Sequence, residues 1–169
     1  MGRHARLAAI CAGLLKRWTQ QQPLMEQRVP SWDRERQPQA SRAALDPTER
    51  AILDIEYTDN NERRWIDVSV RHPAAGSTCD VQRAARRAGE AARRGERAKH
   101  QRYPGEQLTA FIVEVPGRLG GEARQWVRRQ IQELPEDMWS TELARAYKAV
   151  SCAVQTHTAR QLRIAAGMK

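Results

Sequence analysis

Residues 52–70 read ILDIEYTDNNERRWIDVSV, and this stretch decides the fold. Apolar and polar residues alternate on both sides of Asn60-Asn61, which predicts a two-stranded hairpin with one buried face. Asparagine tolerates positive φ, so the pair suits a tight two-residue turn. With that turn, each residue faces the one whose number sums with its own to 121.

This register gives the hairpin two different faces. The mostly apolar face pairs Leu53 with Val68, Ile55 with Ile66 and Tyr57 with Arg64, and the other face pairs Asp54 with Asp67 and Glu56 with Trp65. Like charges that oppose each other directly repel, and two such carboxylates suit a hard divalent cation. The alternative is a water-facing side of the hairpin, where charged residues are ordinary.

Composition limits the class of protein. A chain of 169 residues is expected to form one compact domain, and 40% apolar with 5% aromatic residues gives a modest core. The net charge of +9 favours an anionic partner, either nucleic acid or a membrane surface. The three cysteines are far apart and fit neither a disulfide framework nor a zinc site, so a reducing, intracellular compartment is expected.

The first part of the chain predicts one helix and a polar connection. Residues 3–20 carry apolar side chains at helical spacing and predict an amphipathic helix. Basic residues before Leu7 superficially resemble a signal peptide, but Lys16 and Arg17 follow without a cleavage pattern, so export is not expected. No apolar run has the length of a membrane span. We expect residues 34–46 to form a flexible insert. We also expect Val29 to Trp32 to dock onto the domain as a short extended segment.

Residues 81–102 predict a strongly basic helix with Asp80 as its cap. Eight basic and two acidic residues give this segment a net charge of +6. At 100° per residue, six arginines share one stripe, while Lys99 falls on the opposite, alanine-rich face. The stripe is either a solvated face or a surface that follows phosphates. Lys99 either points toward the sheet or extends past the helix end to water.

A buried strand and further helices complete the chain. Residues 108–115 predict the strand, with Glu114 as its only charge and therefore in need of a partner. The turn at 116–121 leads to a helix at 122–134, and it is either a plain glycine-rich turn or, with Arg118 beside the first helical amides, a phosphate site. One bent or two short helices follow at 140–153 and 155–166, with Leu162 and Ile164 among the expected core residues.

The order of these motifs resembles a known family. Asp54, then twelve residues and Asp67, Lys99 with Tyr103 on the next helix, and Gly-Arg-Leu-Gly at 117–120 resemble the restriction-like endonuclease domain of non-LTR retrotransposons, within the PD-(D/E)XK superfamily. Arg3-His4 is similar to an Arg-His motif that precedes the family's nuclease core. The resemblance covers roughly residues 3–134, and Leu53 stands where the family commonly has proline.

The resemblance implies an α/β (α+β) fold, with a small restriction-endonuclease-like sheet and a β-hairpin flanked by helices. Residues 1–134 would form this core, and residues 135–169 a C-terminal helical extension of the same domain.

The resemblance also implies a nuclear, Mg²⁺- or Mn²⁺-dependent endonuclease that nicks DNA, as in target-primed retrotransposition. It would be a piece of a larger retroelement polyprotein, with reverse transcriptase supplied elsewhere. Asp54 and Asp67 would bind the metal, Lys99 would orient water or stabilise the transition state, and Glu114 would complete the metal shell or pair with Lys99.

The DNA backbone would be held by arginines, namely Arg86, Arg93, Arg97, Arg102 and Arg118. Two alternatives stay open. One is a catalytically inactive nucleic-acid-binding domain with the same fold, and the other is an arginine-rich helix that binds RNA or a membrane surface.

Overall fold

The computed structural model describes residues 2–35, 48–115 and 117–167, so most of the predicted insert at 34–46 lies outside the described residues. A five-stranded mixed sheet with helices on both faces confirms the predicted α/β class. The strands are β1 (Leu24–Arg28), β2 (Arg34–Glu35), β3 (Thr48–Glu49), β4 (Ile52–Asp59), β5 (Glu62–Arg71), β6 (Leu108–Glu114) and β7 (Arg118–Leu119). The helices are α1 (Arg3–Thr19), α2 (Thr78–Arg86), α3 (Glu90–Arg102), α4 (Gly121–Ile131) and α5 (Trp139–Ala165).

The sheet has the order β1-β4-β5-β6-β7, and β2 pairs separately with β3. β5 and β6 are parallel, and α2 and α3 connect them. The other neighbouring pairs are antiparallel. β1 was not predicted, because an edge strand with mostly exposed side chains has almost no alternating pattern.

The hairpin register is confirmed over its tip and centre. Paired residues run from Ile55–Ile66 to Asp59–Glu62, and Asn60 and Asn61 have φ of 50° and 66°. The ladder ends before Asp54, so the predicted direct pairing of Asp54 with Asp67 is wrong in detail. At this point the Val68 N–H donates to Asp54 Oδ2 at 2.6 Å.

The two faces of the sheet have different cores. The larger core lies under α1, α4 and α5, where Trp126 packs against Tyr57 and Phe111 with ring centroids 6.4 and 5.6 Å apart. The opposite face is covered by α3, whose Ala92 packs on Ala110 and Ile112. Asp67 of the hairpin faces α3, where Lys99 contacts it.

The single helix predicted for residues 81–102 is broken in two. α2 ends at Arg86 and α3 begins at Glu90, with Gly89 at φ 81° between them. Ser77 caps α2 in a reciprocal capping box with Asp80, so Asp80 lies one turn inside the helix and is not its cap. No residue of α2 is buried, so the predicted alanine face exists only in α3.

The C-terminal segment forms one helix of 27 residues, α5. Its first half packs into the larger core through Ala146, Val150 and Val154. Leu162 and Ile164 were expected in the core but are 66% and 61% exposed, because the second half of α5 extends past the other elements.

Candidate metal centre

Two buried aspartates and one histidine converge where β4 and β5 separate. Side-chain ligand atoms of His4, Asp54 and Asp67 all lie within 4.8 Å of one another. His4 is in the first turn of α1, Asp54 is on β4 and Asp67 is on β5. Three elements that are distant in the sequence therefore supply one compact set of oxygen and nitrogen donors.

The Asp54 carboxylate is fixed by two contacts at the end of the hairpin ladder. Its Oδ2 accepts from the Val68 N–H at 2.6 Å and lies 3.1 Å from His4 Nε2. Burial raises the pKa of the Asp54 carboxyl above its usual range and the Asp67 charge adds to this, while the Val68 N–H and His4 act in the opposite direction. Such a carboxylate favours a nearby cation.

Lys99 points into the same site from α3. Its Nζ lies 2.6 Å from Asp67 Oδ2, and its side chain is only 22% exposed. The orientation predicted from the helical spacing is therefore confirmed. Lys99 lies about two turns after Ala91 and Ala92, on the inward face of α3. The structure brings Asp54, Asp67 and Lys99 together.

His4 completes the cluster and was the residue that sequence reasoning missed as a ligand. The only signal was the Arg3-His4 pair in the family resemblance, because 50 residues separate His4 from Asp54. The His4 side chain is 55% exposed, so the cluster opens to solvent on its side.

Glu114 does not join the cluster, which corrects its predicted catalytic place. Asp67 is paired with Ala110 in the ladder, so Glu114 lies four residues farther along β6, about 13 Å away. Its buried carboxylate accepts from the Ala92 N–H at 2.9 Å, in the first turn of α3. Glu114 therefore caps a helix whose N-cap, Gly89, has no side chain.

The predicted phosphate site at the start of α4 is also occupied by a protein carboxylate. Glu96 Oε1 accepts from the Glu122 N–H at 3.0 Å, and the N-cap is again a glycine, Gly120. Arg118 is exposed on β7. The first-turn amide expected to bind phosphate is therefore already satisfied.

The arginines expected to contact DNA do not form one stripe, because α2 and α3 are separate helices. Arg93 and Arg97 pair with Glu90 at 2.9 and 3.7 Å. Arg102 lies over the Tyr103 ring at 5.4 Å, and Arg86 is exposed on α2. Their role in binding nucleic acid stays a prediction.

Comparison with known proteins identifies no relative. No family model, no curated protein and no solved structure matches the chain. Within the described residues, none of the helices combines the length and the apolar character needed to cross a membrane.

Proposed function

We propose that the protein is a metal-dependent DNA endonuclease whose centre consists of His4, Asp54, Asp67 and Lys99. The observation that carries the proposal is the convergence of two buried carboxylates with an inward-facing ammonium group. The resemblance to the restriction-like endonuclease domain of non-LTR retrotransposons supports it, since that family uses acidic residues and a lysine in this order.

The donor set fits a divalent cation. Carboxylate oxygens are the preferred ligands of Mg²⁺ and Mn²⁺, and a histidine nitrogen is more compatible with Mn²⁺ than with Mg²⁺. The raised pKa of Asp54 follows from burial and from the neighbouring Asp67, and a cation bound between the two would relieve both effects. His4, Asp54 and Asp67 would hold the ion, which supplies an activated water and neutralises charge on phosphate.

The chain's own groups position the reacting phosphate. Asp54 stays fixed because the Val68 N–H holds its Oδ2. Lys99, anchored on Asp67, presents its ammonium group to the cleft, where it stabilises negative charge that develops on a phosphate oxygen. The exposed imidazole of His4 lies on the open side, from which a phosphodiester approaches.

Nicking of supercoiled plasmid DNA tests the proposal. Asp67→Asn preserves shape but removes a ligand charge, so it should abolish Mn²⁺-dependent nicking and weaken Mn²⁺ binding measured by electron paramagnetic resonance. Lys99→Met should also abolish nicking, but it should strengthen Mn²⁺ binding, because the ammonium group no longer competes for Asp67. Asp137→Asn, at an exposed position, is the matched control and should leave both unchanged.

The experiment also distinguishes the second candidate function, a nucleic-acid-binding domain without catalysis. The net charge of +9 favours binding of nucleic acid whether or not cleavage occurs. A wild-type protein that binds DNA but produces no nicks with Mg²⁺ or Mn²⁺ would establish this alternative. Nicking that survives Asp67→Asn would refute the centre proposed here.

A further inference from the structure

The exposed side of α4 forms a shallow basic depression, here called the α4 groove. It is lined by Gly121, Arg124, Gln125, Arg128, Arg129 and Gln132. These lining residues include three arginines and two glutamines and no carboxylate. The groove belongs to one of the helices that cover the larger core, and its lining residues include none of the cluster residues His4, Asp54, Asp67 and Lys99.

The arginines of the groove differ from those of α3 in their partners. Within the described residues, neither Arg124 nor Arg128 has a carboxylate partner, and Arg124 donates to the Gly120 carbonyl at 3.3 Å. Arg129 shares its guanidinium between Asp59 Oδ2 at 3.4 Å and the Tyr57 hydroxyl at 3.3 Å. On α3, by contrast, Arg93 and Arg97 share one carboxylate, that of Glu90, at 2.9 and 3.7 Å.

The composition of the groove selects a nucleic-acid backbone over a lipid surface. A helix that lies on a membrane presents large apolar side chains beside its basic residues. The apolar residues of α4, including Trp126, Val127 and Ile131, are instead buried in the core. Arginine and glutamine are common donors to phosphate and sugar oxygens.

We infer that the α4 groove binds the phosphate backbone of nucleic acid, at a surface separate from the metal cluster. The inference rests on the proposed function, which supplies nucleic acid as the class of partner, but it does not require that the protein cleaves DNA. The uncompensated guanidinium groups of Arg124 and Arg128, one helical turn apart, carry the binding. The paired arginines of α3 contribute less, although the sequence marked them as the stronger candidates.

The inference is tested by measuring how tightly the full chain binds a fluorescein-labelled DNA duplex. Fluorescence anisotropy reports the affinity at several salt concentrations, with EDTA present to remove metal. Arg124→Gln with Arg128→Gln should lower affinity roughly 50-fold at 0.1 M salt, because each lost phosphate contact reduces the salt-dependence slope by about 0.9. Arg93→Gln with Arg97→Gln is the matched control, with the same i,i+4 spacing, and should change affinity less than about threefold.

Each outcome has a defined meaning. Equal losses in the two double variants, or a larger loss in the α3 variant, would overturn the inference. Binding to vesicles rich in phosphatidylserine, without binding to the duplex, would overturn it as well. Arg128→Gln alone, with circular dichroism matching wild type, excludes unfolding as the cause of a loss. The binding assay contains EDTA and no metal, so its result does not depend on whether the protein cleaves DNA. The inference and the proposed function can therefore fail separately.

Discussion

Replacement of Glu142 by glutamine should destabilise the protein by about 3 kcal/mol at pH 7. The Glu142 side chain is only 1% exposed, and its carboxylate accepts from Arg17 at 2.9 and 3.0 Å, Trp18 Nε1 at 3.0 Å and Arg145 at 3.2 Å. These contacts, with the Arg17 hydrogen bonds first, lower the pKa of Glu142 from 4.5 to about 2. A shift of that size corresponds to about 3 kcal/mol.

The sign of the pH dependence follows from the lowered pKa. The stabilisation is fully present above pH 4.5, the ordinary value, and is lost as the pH falls toward 2. The wild-type advantage over Glu142→Gln should therefore fall to about half at pH 3. Urea unfolding followed by tryptophan fluorescence measures both values.

Glu133→Gln is the control, because Glu133 is exposed just after the end of α4 and its replacement should change the free energy of unfolding by less than about 0.5 kcal/mol. A difference between wild type and Glu142→Gln below about 1 kcal/mol at pH 7 would refute the reasoning, and so would a difference that stays constant between pH 7 and pH 3.

Two further substitutions test the buried acids. Asp54→Asn, measured in EDTA, should raise the melting temperature at pH 7, because it removes a carboxylate whose pKa is raised by burial; Asn can still accept from the Val68 N–H. This increase in melting temperature should shrink as the pH falls toward 3.8, the pKa of Asp54 in the unfolded chain, because burial destabilises the folded protein only while Asp54 is ionised. An increase that grows at low pH would contradict this reasoning. Glu114→Gln should cost about 1–2 kcal/mol in urea unfolding through the weakened cap on Ala92, yet leave Mn²⁺ binding and nicking at wild-type levels. Loss of metal binding in Glu114→Gln with an intact fold would return Glu114 to the centre.

The sequence predicts the parts of the site that depend on local periodicity. Alternation around Asn60-Asn61 was enough to predict the hairpin register, and helical spacing was enough to orient Lys99. Both periodicities come from backbone geometry within a single element. They hold even though the longer helix around Lys99 is broken at Gly89.

The parts that the sequence did not predict depend on contacts between distant elements. A buried glutamate needs a partner, but the pattern does not show that a backbone amide of α3 serves Glu114, or that an amide of α4 serves Glu96. In both cases the helix starts after a glycine that cannot cap it, and a neighbouring element supplies the carboxylate. His4 likewise reaches Asp54 only because α1 packs across the sheet.

The contact between α1 and α5 links the centre to a part of the chain that supplies none of its ligands. His4 lies on α1, and Arg17 of the same helix donates to Glu142 of α5, which lies 125 residues farther along the chain. The position of the histidine beside the two aspartates therefore depends on α5 as well as on the packing of α1 against the sheet. If the cluster binds metal, loosening of α5 should weaken the contribution of His4 while both aspartates stay in place on the sheet.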